Sequence, residues 1–139
     1  MRLRYTLLAD GSSDRVLIRL IDWVIQQTGL SVTFQSQWAD PAVIAESGGS
    51  LPERMRSALR KYPTDLLVVH RDSERAPFED RLREIHEAIN KSAALPGASC
   101  AVVPVRMTEA WLLLDEMAIR RAAGNPNGRM KLDLPALRD

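Results

Sequence analysis

The chain has 139 residues, 45% hydrophobic and 27% charged, which suits one globular domain and excludes disorder over its whole length. Lys and Arg number 19 and Asp and Glu 18, so the net charge is +1 and no global basic signature of nucleic-acid binding is present. Cys100 is the only cysteine, which rules out an internal disulfide and fits a reducing, cytoplasmic setting. No signal peptide is expected from the first residues, and no apolar run nears the roughly 20 residues of a membrane helix.

Arg4 to Ala9 reads as a buried strand stopped by the turn Asp10-Gly11-Ser12-Ser13. Asp14 to Thr28 is helical, with Leu17, Leu20, Ile21 and Val24 on one face and Gly29 as a stop. Ser31 to Gln37 alternates like a less buried strand. Between Trp38 and Ser50, the segment Ala42 to Ala45 fits either a strand tail or a short helix. Ser50 then caps a helix from Leu51 to Lys61, with Pro52 in its first turn. Thr64 to His70 is the most apolar strand and suits the centre of a parallel sheet. Arg71 to Pro77 is a charged loop, and Phe78 to Ser92 a helix with Phe78, Leu82, Ile85 and Ile89 at helical spacing. After the break Leu95-Pro96-Gly97, Ala98 to Val105 is a fourth strand with Pro104 near its end. A helix capped by Thr108 runs to Ala123, closed by Gly124-Asn125-Pro126.

This alternation predicts an α/β domain over residues 1–124, Rossmann-like, with a mainly parallel four-stranded sheet and helices on both faces. Residues 125–139 form a tail that ends like a helix cut short.

In such folds functional residues follow the carboxyl ends of the strands. Three of those loops carry carboxylates: Asp10 to Asp14 after the first strand, His70 to Arg75 after the third, and Arg106 to Glu109 after the fourth. Crowded carboxylates need a proton, an arginine or a metal, and oxygen ligands in an aqueous cleft suit Mg²⁺ or Mn²⁺. Asp72 and Glu74 are two apart, so both point the same way in an extended segment and can share one ion. Gly11 permits a sharp turn at a helix N-terminus, where its amide and Ser12 suit an anion.

Plainer roles stand beside these. Asp10 can start an Asx turn, and Ser12 or Ser13 can cap a helix. Asp72 and Glu74 can be solvated charges paired with Arg71 and Arg75. Glu109 can answer a helix dipole. His70 reads more as a satisfied residue at a strand end than as a base, and Trp111 more as core than as a binding platform. No Walker A, dinucleotide Gly fingerprint or zinc spacing occurs.

Asp10-Gly11 after the first strand, with Asp14 at the helix start, and Asp72-Ser73-Glu74 after the third strand resemble the TOPRIM domain of topoisomerases, DnaG-type primases and OLD-family nucleases. The likeness spans roughly residues 3 to 115. It implies a metal-dependent phosphoryl-transfer enzyme, nuclease-like, acting on nucleic acid. In that reading Asp10, Asp72 and Glu74 ligate Mg²⁺ or Mn²⁺, and Asp10 and Glu109 serve catalysis. Gly11, Ser12, Arg71, Arg75 and Arg106 meet phosphate oxygens. The alternative is a non-catalytic TOPRIM-like module that binds a partner protein or a nucleotide. Val103 to Leu113 also looks like a segment of bacterial TOPRIM-like proteins associated with ATPases in presumed defence systems, which adds an ATPase as an expected partner. Two positions depart from the family pattern: Asp10 stands where Glu is usual, and Glu74 where the second Asp is usual. Tyr5 and Tyr62 are both poorly placed for a topoisomerase-type nucleophile.

Overall fold

The structure is a computed structural model, and it describes residues 2–29, 31–44, 49–92, 98–104 and 115–134. Four strands, β1 (Arg2–Leu8), β2 (Thr33–Trp38), β3 (Leu66–His70) and β4 (Ala98–Val102), form one sheet in the order β2-β1-β3-β4. Every neighbouring pair is parallel, so the expected α/β architecture holds. Tyr5 to Leu8 and Leu67 to His70 are buried, as the apolar runs require of central strands.

The chain steps from β1 outward to β2, then returns past β1 to β3 and on to β4. Right-handed crossovers running in opposite directions place their helices on opposite faces. Helix α1 (Leu17–Gln27) accordingly covers one face, where Tyr5, Leu7, Leu17 and Val68 form a core with Ile18, Ile21 and Ile25. The short α2 (Pro41–Ile44) and the longer α3 (Leu51–Lys61) and α4 (Phe78–Lys91) cover the other. There Leu8, Ile44, Met55, Leu67, Val69 and Ile85 interlock.

Several local expectations change. The segment after Trp38 resolves into α2 rather than a strand tail. Neither Ser12 nor Ser13 is the cap of the first helix. Gly11 occupies the N-cap position of a 3₁₀ turn, Ser12–Val16, whose Asp14 carboxylate accepts the Gly11 N–H at 3.0 Å. The inward face of α1 is also different. Leu17, Ile18, Ile21 and Ile25 face the sheet, while Leu20 and Val24 are exposed. Leu17 to Ile25 is apolar on nearly every side, so periodicity alone offers two candidate faces.

Helix α5 (Glu116–Ala122) starts at Asp115, which is extended and accepts the Ala118 N–H on its side chain. A single continuous helix from Thr108 to Ala123 is therefore excluded, because an N-cap breaks it at Asp115. Gly124 closes α5 with φ +70, the left-handed conformation that glycine adopts without a Cβ penalty. Residues 105–114, including Arg106, Glu109 and Trp111, lie outside the described residues, as does the end of the tail beyond Leu134. Among the described residues no helix is long and apolar enough to cross a membrane.

Candidate metal centre

The β1 and β3 strands are neighbours, and the chain leaves them toward opposite sides of the sheet. Their carboxyl ends thus border the point where the strand order reverses, the usual ligand crevice of an open α/β sheet. Two turns meet there. The 3₁₀ turn after β1 contributes Asp14, which is only 6% exposed. The end of β3 contributes His70, 1% exposed, and the following residues contribute Asp72.

His70 stands between the two acids. Its Nδ1 lies 3.5 Å from Asp14 Oδ2, and its Nε2 lies 3.5 Å from Asp72 Oδ1. One ligand atom from each of the three residues falls within 4.8 Å of the others, the one such group among the described residues. The group could hold a metal ion, with the two 3.5 Å contacts falling on different ring nitrogens, so that only one of them is a spacing between two ligands of a single ion. One imidazole nitrogen ligates one ion while the other turns to a carboxylate, the common outer-shell pattern of histidine sites. Asp72 is the most accessible of the three, with a side chain 26% exposed.

The acids expected from the sequence divide differently. Asp10, Asp72 and Glu74 do not converge on one ion, because Asp10 and Glu74 belong to an ion-pair network instead. Arg54 and Arg71 meet the two oxygens of Asp10 at 2.9 and 3.0 Å. Arg71 also pairs with Glu84, Glu84 with Arg81 at 2.9 Å, and Arg81 with Glu74 at 3.4 Å. Arg54 further donates to the Ala9 carbonyl. The network ties the β1 end to α3 and α4. Partial burial pushes the Asp10 carboxyl up, but the hydrogen bonds and charges of Arg54 and Arg71 outweigh it and hold Asp10 below the usual carboxylate range. Glutamate pairing likewise raises the Arg81 guanidinium, chiefly through its hydrogen bond with Glu84.

Glu74 diverges from Asp72 because the chain turns between them. Its φ of +50 ends the extended run on which same-side spacing depends. The expected phosphate contacts also rearrange. The Gly11 amide is taken by Asp14, Arg71 is engaged by two acids, and Ser12 and Arg75 are exposed at the rim. Asp14 and His70 are more central than their sequence context suggests, and nothing in the sequence singles out Arg54, Glu84 or Arg81. A signal for the first two was present: His70 and Asp72 are two apart, and Asp14 lies one turn beyond the Gly11 bend.

No protein-family model matches the chain, and neither a curated protein nor a solved structure shows significant similarity to it.

Proposed function

We propose that the chain is a metal-dependent phosphoryl-transfer enzyme, nuclease-like, that acts on nucleic acid through a cation held by Asp14, His70 and Asp72. The observation that carries this reading is His70, buried at the carboxyl edge of the sheet with a carboxylate 3.5 Å from each ring nitrogen. The TOPRIM resemblance of Asp10-Gly11 and Asp72-Ser73-Glu74 supports the same chemistry, with the ligand set shifted from Asp10 and Glu74 to Asp14 and His70. A nitrogen donor beside two oxygens favours Mn²⁺ over Mg²⁺ and also admits Zn²⁺. A divalent ion held there supplies Lewis-acid polarisation of a phosphoryl oxygen and a bound water of lowered pKa.

The protein's own residues have separable tasks. Asp14 and Asp72 flank the His70 ring, one beside each nitrogen, and Asp14 also locks its own turn through Gly11. Arg54 and Arg71 are held by Asp10 at the carboxyl edge of the sheet. Asp10 is a poor general base, because two arginines hold it ionised below the usual range. Its part is to orient those arginines.

The engagement of Asp10 and Glu74 by arginines favours one alternative, a non-catalytic module that docks on a partner such as an ATPase of a bacterial defence system. Incubation of the chain with labelled single- and double-stranded DNA and RNA, with Mn²⁺, Mg²⁺ or Zn²⁺, separates the two. The enzyme reading expects cleavage that requires metal and falls about 100-fold or more in Asp72→Asn. Absence of cleavage with every metal and substrate, in the presence of the ATPase as well, leaves the module.

A further inference from the structure

Between α1 and β2, at the carboxyl edge of the sheet, lies a groove of about 580 Å³ lined by Arg15, Val16, Ile18, Arg19, Ser36 and Trp38. The parallel sheet fixes its place. Trp38 ends β2 opposite Leu7 of β1, and the Ala39 N–H donates to the Leu7 carbonyl at 3.0 Å. Arg15 follows Asp14 in the 3₁₀ turn after β1. Ile18 and the partly buried Trp38 pack on the core of this face, so the groove has an apolar floor. Its charged residues are both arginines. Arg15 and Arg19 are exposed, and neither forms an ion pair among the described residues, whereas Arg54, Arg71 and Arg81 are each engaged by acids. Asp22, three residues beyond Arg19, is half-buried and accepts the Tyr5 hydroxyl at 2.6 Å. Two arginines at the start of a helix also oppose its dipole, and the first turn of α1 holds no acid to offset them. The nearly balanced charge of the chain thus conceals a local cationic groove with an aromatic side chain in it.

We infer that this groove binds single-stranded nucleic acid and leads it toward the Asp14–His70–Asp72 cluster, an inference that rests on the nuclease-like reading for its choice of ligand. Arg15 and Arg19 line the groove about one helical turn apart, so their guanidinium groups suit neighbouring phosphates of one strand. Trp38 offers an apolar ring on which a base stacks. A cationic groove with a stacking platform is the general form of single-strand binding, and it accepts bases of any sequence because every base has a π-face. The volume lies within the ~300–1,000 Å³ of small-ligand sites, which gives room for a nucleotide or two and not for a duplex. The bases of a duplex are in any case stacked inward, out of reach of Trp38. An acidic peptide matches the arginines but leaves the ring unused. The direction follows from position: Arg15 adjoins Asp14, so a strand lying along Arg19 and Arg15 runs toward the cluster.

Fluorescence anisotropy of a labelled oligothymidine of about 12 nucleotides, titrated with the whole chain in EDTA, tests the inference. The chelator silences cleavage, so binding at the groove is read apart from the metal chemistry. Wild type is expected to bind the strand, and to bind an abasic strand or a duplex of the same length about 10-fold or more weakly. Arg15→Ala and Arg19→Ala, both at exposed positions, are each expected to lower the affinity about 5-fold or more. Each is also expected to reduce the slope of log affinity against log salt by about 0.7, while Arg60→Ala, exposed on α3 across the sheet, changes neither quantity. Absence of strand binding by wild type overturns the inference, as do unchanged affinities in both groove variants or equal binding of the abasic strand or duplex. Displacement by polyglutamate as readily as by unlabelled strand also overturns it and marks an acidic-peptide site. The expected binding pattern without cleavage when metal is restored keeps the groove and removes the nuclease-like reading; cleavage without that pattern removes the groove alone.

Discussion

At Asp10, burial and charge pull in opposite directions, and charge prevails. The folded carboxyl lies below its ordinary value of 3.8. A depressed folded value means that the stabilisation from its arginines is complete above the unfolded value and is lost as pH falls through the folded one. Urea unfolding of wild type and Asp10→Asn from pH 7 to pH 2 is therefore expected to show a constant gap in the neutral range that closes below pH about 4. Asp65 and Glu53, also held below the usual range, are common to both proteins and cancel in the comparison. Parallel curves down to the lowest pH would contradict the assignment. Arg71 is the hub of the same network, joining Asp10 to Glu84. Because these pairs are partly solvated, Arg71→Ala is expected to cost only about 1 kcal/mol, measured as a shift in the urea midpoint at unchanged slope.

Helix α3 shows how much of an element can be read from its ends. Its limits, Leu51–Lys61, coincide with those expected from the Ser50 cap and the early proline. The Glu53 carboxylate accepts the Ser50 N–H at 3.1 Å and the Ser50 hydroxyl at 2.6 Å, so the signal in the sequence is also a physical stop. Ser50→Ala is expected to destabilise the protein by about 1 kcal/mol, seen as a Tm lowered by a few degrees; an unchanged Tm would show that packing alone sets this end. Helix α1 was legible as a helix but not in its orientation. Its apolar residues encircle it, and only the sheet decides that Ile18 and Ile25 turn inward while Trp23 does not. The same-side expectation for Asp72 and Glu74 failed at Glu74, where a positive φ turns the chain, whereas His70 and Asp72, also two apart, meet at 3.5 Å. No local pattern announces such a turn. Nor does one announce that Arg54, 44 positions beyond Asp10, reaches back across the fold to claim it.

At the scale of the whole molecule, the sheet order creates the site. β1 and β3 are parallel neighbours whose following segments depart to opposite sides, so the turn after one faces the loop after the other. Asp14 and His70 are 56 positions apart in sequence, yet 3.5 Å separates their side-chain atoms. The parallel four-stranded α/β architecture was legible, because alternating strands and helices and the apolar run at Leu66 to Val69 leave few alternatives. The side-chain contacts were not, since they depend on rotamers and on competition among arginines. The central claim is that this convergence holds a divalent cation. Isothermal titration of the metal-free chain with Mn²⁺ tests it most directly, with Asp72→Asn as the variant, because Asp72 is the most accessible of the three residues. Wild type is expected to bind one ion per chain and the variant to bind it roughly 10- to 100-fold more weakly, with the fold unchanged. Absence of Mn²⁺ binding by wild type, or equal binding by Asp72→Asn, would contradict the claim.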